Sequence, residues 1–217
     1  VANWYFSPIA EGEKGSNTGA TAIYDSKRGV FWKMAAYQGV MSMYDPKAVN
    51  EDGTIGSHQI IKDTNLRIDG VADYDPVNDL YVRTDFRGND KVYATDLSNP
   101  SAPDVVLKET GDIPVKGGSS GWAYSPARKA FLYYSHKAGL YEFKLDGADW
   151  KNDSWRWSKL ADSWGGNDPQ NGIYSRFRVA SYGDTDVAIL LKRYNEPIYA
   201  FRVPALGADS GNQGVVD

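Results

Sequence analysis

The chain repeats one unit of structure four times: an alternating apolar strand ending on a tyrosine, a tight polar turn, a second apolar strand, another turn and a third strand. The copies open as ATAIYDSKRGVFWKM, GVADYDPVNDLYVRT, SGWAYSPARKAFLYY and RVASYGDTDVAILLK, and they align on Tyr24, Tyr74, Tyr124 and Tyr182. A unit this short cannot bury both of its faces alone, so each copy has to stack against the next. The repeat therefore constrains architecture more tightly than chemistry.

Read strand by strand, the first copy gives Ala20–Tyr24, Val30–Met34 and Val40–Tyr44, and the second gives Val71–Tyr74, Leu80–Thr84 and Lys91–Thr95. The third gives Gly121–Tyr124, Ala130–Tyr134 and Leu140–Leu145, and the fourth Phe177–Tyr182, Val187–Leu191 and Pro197–Val203. Gly, Asn, Asp and Pro fall between the strands each time, as hairpins require. A fourth, outer strand follows in three copies, at His58–Ile61, Asp104–Lys108 and Trp155–Leu160. After Pro204 the tail ALGADSGNQGVVD is small and polar and offers none. Near the amino terminus, Asn3–Ile9 (NWYFSPI) reads as an aromatic strand without a local partner. Pairing it onto the last copy would close a ring and remove the open edges of the repeat.

The anchor tyrosines lie 50, 50 and 58 residues apart, and the way round through the termini is 59. Four units then complete a circle. The expected fold is all-β: a single four-bladed β-propeller over residues 1–217, its last blade closed by the strand 3–9. The blades fall at about 19–61, 69–108, 119–160 and 174–204. A fragment of a longer propeller is the competing architecture.

Composition narrows the partners. A net charge of −4 with a pI near 5.2 lacks the basic face that phosphate backbones need, so no nucleic acid is expected. With no cysteine there is no disulfide framework, thiolate metal site or cysteine nucleophile. No apolar run approaches the roughly 20 residues that cross a bilayer, so no membrane insertion is expected. The chain starts at Val1 and carries one usable sequon, Asn152-Asp153-Ser154, which sets a secreted or extracellular location as the expectation.

The fourth copy, NGIYSRFRVASYGDTDVAILLKRYNEPIYAFRVP, resembles a blade of the broad galactose-oxidase and kelch-like propeller superfamily: an Arg-Phe-Arg strand leads into an apolar strand and then into Ile198–Pro204. In ring size the chain resembles the hemopexin-type four-bladed propellers. The resemblance implies a propeller fold and, from the hemopexin type, room for a calcium or other ion in the central channel, with no cofactor required. It does not carry over galactose-oxidase activity, because the chain has no cysteine for the cross-linked tyrosine and only His58 and His136 as imidazoles. The paired glycines of true kelch repeats are also missing.

Candidate binding residues lie in the turns between second and third strands, AAYQG, DFRGND, SHKAG and KRYNEP. Tyr37, Phe86 and Tyr194 occupy comparable points, with His136 there in the third copy. Gln38, Arg87, Asn89, Lys137, Arg193, Asn195 and Glu196 flank them. Aromatic plates beside amide, carboxylate and guanidinium groups suit sugars, whose C–H faces stack on rings while hydroxyls take hydrogen bonds. The expected function is accordingly a non-catalytic, multivalent, lectin-like module for a glycan or other small polar ligand. The competing reading of the rings is packing between blades.

Loops entering the first strands add Ser16, Asn17, Asp69, Ser119, Ser120 and Arg176 near the axis. Asp69, Asp73, Asp75, Asp85 and Asp90 make the second copy acidic, either as oxygen ligands for calcium or as turn caps. Two alternative functions remain open: a hydrolase or lyase drawing on Asp69, Asp85, Glu196 and His136, and a protein-interaction propeller. His58 reads as structural. The tryptophan-rich insert places Trp150, Trp155 and Trp157 around the third outer strand and Trp164 in a long loop.

Overall fold

The computed structural model describes residues 21–34, 39–63, 70–84, 90–116, 120–163, 173, 176–183, 185–191 and 197–204. Every regular element among them is a β-strand, and the strands form four sheets in chain order. Sheet one joins β1 (Thr21–Asp25), β2 (Val30–Met34), β3 (Val40–Val49) and β4 (Ile55–Asp63) as an antiparallel meander. Sheet two joins β5 (Ala72–Asp75), β6 (Leu80–Thr84), β7 (Val92–Asp96) and β8 (Val105–Val106) in the same way. Sheet three runs β10 (Ser120–Ser125), β11 (Ala130–Ser135), β12 (Gly139–Asp146), β13 (Ser154–Ala161), and then takes β9 (Lys108–Gly111) beyond β13. Sheet four holds β14 (Phe177–Tyr182), β15 (Thr185–Leu190) and β16 (Tyr199–Arg202). The first strands touch in succession, β1 with β5, β5 with β10 and β10 with β14. Sheets stacked face to face around their first strands make a propeller-like arrangement. The strand expected at 3–9 lies outside the described residues.

The second copy differs from its sequence reading in one respect. Its outer strand, expected over Asp104–Lys108, pairs with β7 only at Val105–Val106. Leu107 is buried, its N–H bonded to the Val92 carbonyl at 2.9 Å. The chain then crosses, and Lys108–Gly111 runs parallel to β13 as the fifth strand of sheet three. Side-chain chemistry explains the crossing: Trp157 donates its indole N–H to Glu109 at 2.7 Å, and Lys116 pairs with the same carboxylate at 2.6 Å.

Each joint between sheets uses the same side of the repeat. The side of sheet two bearing Tyr74 and Tyr81 packs on Ile23, Trp32, Met34 and Met41 of sheet one. That of sheet three, with Tyr124, Phe131, Tyr133, Trp155 and Trp157, packs on Leu80, Val82, Val92 and Ala94. Phe177, Ala188 and Leu190 of sheet four pack on Ala123, Leu132, Tyr134 and Leu140. Sheet three is the aromatic centre, with Trp122 stacked on Phe131 at 4.7 Å and Phe143 lying 4.4 Å from Trp157.

The turn after each first strand is built alike in three copies. Asp25 accepts from the N–H groups of Lys27 and Arg28, Asp75 from those of Val77 and Asn78, and Ser125 from that of Arg128. These are side-chain caps of the Asx and Ser type. The residue that closes each turn has positive φ: Gly29 at 72°, Asp79 at 60° and Lys129 at 50°. Only glycine adopts that conformation without steric cost, with Asp next best.

From the same turns come guanidinium clamps. Arg28 grips Asp79 of sheet two through both terminal nitrogens at 2.7 Å each, reaches Asp25 at 2.6 Å, and donates to the Leu97 carbonyl at 3.0 Å. Two repeat units on, Arg128 holds Asp186 of sheet four and Glu142, both at 3.0 Å, and donates to the Pro204 carbonyl. A third polar tie joins sheets one and two, where buried Arg83 and Lys62 meet at Asp104, at 2.7 and 2.8 Å. Arg28 and then Lys27 hold the Asp79 carboxyl well below the ordinary carboxylate range. Burial opposes the charge on Asp104, but Arg83, Lys62 and Thr95 outweigh it and its pKa is lowered too.

A carboxylate held below its unfolded pKa contributes stability that is full above that pKa and drains as pH falls through it. Stability should therefore be level near neutrality and fall below about pH 4, the unfolded carboxylate value. Arg28→Met is expected to remove about 2 kcal/mol at pH 7, less than a fully buried pair because Arg28 is 30% exposed, and to shrink the acid-dependent loss. Denaturant melts of both proteins from pH 7 to pH 3 check this.

Candidate functional site

The turn after β1 meets the turn after β5 through Arg28 and Asp79, and the turn after β10 meets the start of β15 through Arg128 and Asp186, so these turns share one edge of the sheets. The connections from second to third strands leave from the opposite edge. Of the residues expected to form a binding rim there, Tyr37, Gln38, Phe86, Arg87, Asn89, Arg193, Tyr194 and Glu196 lie outside the described residues, as do Ser16, Asn17, Asp69, Asp85, Ser119 and Trp164.

His136 and Arg176 are described. His136 stands in the turn between β11 and β12, whose backbone is fastened at two points: the Ala138 N–H donates to Ser135 Oγ at 3.3 Å, and Ser163 Oγ donates to the His136 carbonyl. The second bond ties this turn to the chain leaving β13. Arg176 braces the entry to β14, its N–H on the Ile173 carbonyl at 2.9 Å and its Nε on the same oxygen at 3.4 Å. The two stand on the same edge, where His136 Nδ1 is buried.

A buried cluster between sheets two and three is one that the sequence does not single out. Lys116 is buried with its ammonium on Glu109, on the Asp90 carbonyl, and 5.6 Å from the centre of the Trp157 ring. Glu109 also accepts from Trp157 Nε1 and from the Val92 N–H at 3.3 Å. The cluster joins both sheets to the strap β9. No local sequence signal marks it, because Glu109 and Trp157 are 48 residues apart.

The aspartates of the second copy divide by role. Asp75 caps its turn, with Asn78 Nδ2 on its second oxygen at 2.7 Å. Asp73 accepts from the Tyr124 N–H of sheet three at 2.8 Å and from the Tyr74 N–H at 2.8 Å. Burial raises its pKa, against the pull of those two N–H groups and of Arg178. Among the described residues no group of three or more His, Asp or Glu side chains converges as a metal site. Ser120 bonds to the Tyr133 hydroxyl at 2.6 Å, which assigns it to packing within sheet three. Trp155 and Trp157 are likewise core residues, Trp155 donating to the Trp150 carbonyl at 3.0 Å.

The exposed aromatics lie elsewhere. Across sheet one, Tyr24, Phe31 and Tyr44 are cross-strand neighbours with ring centres 5.1 and 6.5 Å apart, and His58 follows in register on β4. Tyr24 is 51% exposed and Phe31 43%. The alternation in TAIYD and VFWKM placed these two rings on one face, but it gives no measure of what lies against that face.

No family model matches the chain, and no curated protein does. Among solved structures it is similar to one described as "Crystal structure of Nidogen/Laminin Complex", with a TM-score of 0.48 and 15% identity over 84% of this chain and 58% of that one. The chain thus spans little more than half the length of that neighbour. The propeller-like fold rests on the strand pairing described above.

Glu109→Ala is expected to cost on the order of 3 kcal/mol, since it leaves the buried Lys116 charge and the Trp157 N–H without their acceptor. A loss of that size in denaturant melts, with a shift in tryptophan emission before global unfolding, would confirm that the carboxylate fastens β9 to sheet three.

Proposed function

We propose that the four sheets are the four blades of a closed β-propeller, and that Asn3–Ile9 supplies the outer strand that sheet four lacks. We read the ring as a non-catalytic binding module of lectin type in an extracellular setting. It engages a glycan or other small polar ligand through Tyr37, Gln38, Phe86, Arg87, Asn89, His136, Arg193, Tyr194 and Glu196, with Arg176 nearer the axis. The observation that carries this reading is the common edge. Arg28 on Asp79 and Arg128 on Asp186 clamp neighbouring sheets at the end where the first strands turn, which favours a shared rim at the other end. The fastened His136 turn supports a preformed rim, which lowers the entropy cost of binding. A calcium or other ion on the axis is compatible with this function and is not needed for it.

A glycan-array screen tests the ligand class. The parent is expected to bind at least one glycan family, and Tyr37→Ala, Phe86→Ala and Tyr194→Ala each to weaken that binding about fivefold to tenfold, in line with the worth of one ring contact. Absence of any glycan signal would remove the lectin reading. Ring closure is tested separately: deleting residues 1–9 is expected to lower the melting temperature by at least about 5 °C. An unchanged melting temperature would contradict the closing strand.

A further inference from the structure

The first two joints between successive sheets share one construction, and its pieces can be compared position by position. Tyr24 and Phe31 of sheet one correspond to Tyr74 and Tyr81 of sheet two and to Tyr124 and Phe131 of sheet three, at intervals of 50 residues. In sheets two and three these rings face the preceding sheet and are buried: Tyr74 is 5% exposed, Tyr124 8%, and Tyr81 and Phe131 0%. In sheet one the same pair is about half exposed. The face of sheet one that bears them is built to receive the back of another sheet.

Sheet four carries a matching back. On β14 and β15 the side chains that do not face sheet three are Ala180 with Val187 and Arg178 with Ile189, cross-strand pairs in register. Ala180 and Val187 sit where Ile23 and Trp32 sit in sheet one, counted from the turn between the first two strands. Those are the residues that Tyr74 and Tyr81 cover. Tyr182 on this sheet is 69% exposed, and Ile198, just before β16, is 67% exposed. Aliphatic residues on one end sheet and stacked rings on the other are the two halves of the joint used elsewhere in the fold.

The polar ties differ, however. Arg28 clamps the first joint, Arg128 the third, and the strap β9 with the Asp73 to Tyr124 bond spans the second. In sheet one the position of the acceptor Asp79 is taken by Gly29, which offers no carboxylate.

We infer that the aromatic face of sheet one, formed by Tyr24, Phe31 and Tyr44, docks onto the Ala180, Val187 and Ile189 face of sheet four of the same chain. This joint, which carries Arg178 beside Ile189 and Lys33 beside Ala22, lacks the carboxylate-gripping clamp of its neighbours, and it is where the ring opens first. The inference rests on the closed-ring reading above and names the surfaces that close it.

The absence of native cysteine makes the test direct. Two double variants, Phe31→Cys with Val187→Cys and Lys33→Cys with Ile189→Cys, are treated with a short bis-maleimide, since packed sheets lie on the order of 10 Å apart. The second pair keeps every ring of the seam. Thr110→Cys with Arg156→Cys, neighbours across the β9 and β13 ladder, is the positive control. The expected product from both seam pairs is a faster-migrating monomer formed from most of the protein. Cross-linked dimers as the main product would overturn the inference by assigning the face to a second copy. No cross-link at the seam with an efficient control would overturn it as well, and a fall in melting temperature on deleting residues 1–9 would then show the ring closing through its outer strand alone. Glycan binding is read in a separate assay and can fail without touching this result.

Discussion

The body of this molecule depends on a contact made twice: a pair of aromatic rings on the first two strands of a sheet, pressed against aliphatic and tryptophan side chains on the back of the sheet before it. A three- or four-stranded meander of five-residue strands has too little surface to be stable alone. Stacking buries its second face, and each large ring removed from water is worth about 1.5 to 3 kcal/mol. Tyr81 and Phe131 are fully enclosed in this way. The polar ties come after that contact, because Arg28 can reach Asp79 only once the sheets have been drawn together.

The clamps then supply what apolar stacking lacks, which is register. Greasy faces tolerate sliding, whereas a two-nitrogen grip on one carboxylate does not. Arg28 on Asp79 and Arg128 on Asp186 fix the turns at one edge, and Arg83 with Lys62 on Asp104 fixes the outer part of the first joint. Burying so much charge is favourable only because each carboxylate has several donors. Asp104 has three, in Lys62, Arg83 and Thr95.

Much of this was legible in the sequence, and the rest was not for definable reasons. Local pattern located most strands closely: TAIYD and VFWKM alternate buried and exposed positions, while LYVRT is a short strand-forming run buried throughout, each bounded by turn residues. Asp75 could be read as a turn cap because its partners are two and three residues away. The partners of Arg28 and Arg128 lie 51 and 58 residues distant, and no local pattern announces them. The crossing of β9 was hidden for the same reason: LKETG is polar and short, and its fate is decided by Trp157 and Lys116. For the binding rim, the sequence supplied residue types, and the structure supplies the anchoring of the His136 turn and the local bracing of Arg176.

The strap β9 has a consequence for how the molecule comes apart. A segment that begins as the edge of sheet two and ends as the edge of sheet three cannot leave one without disturbing the other. Sheets two and three are therefore mechanically one body, sharing a strand as well as a face. Among the described residues, sheets one and four are attached to that body by side-chain contacts. Local opening in this fold is then a property of its flanks, with amide protection deepest along the segment that sheets two and three share and shallower in sheets one and four.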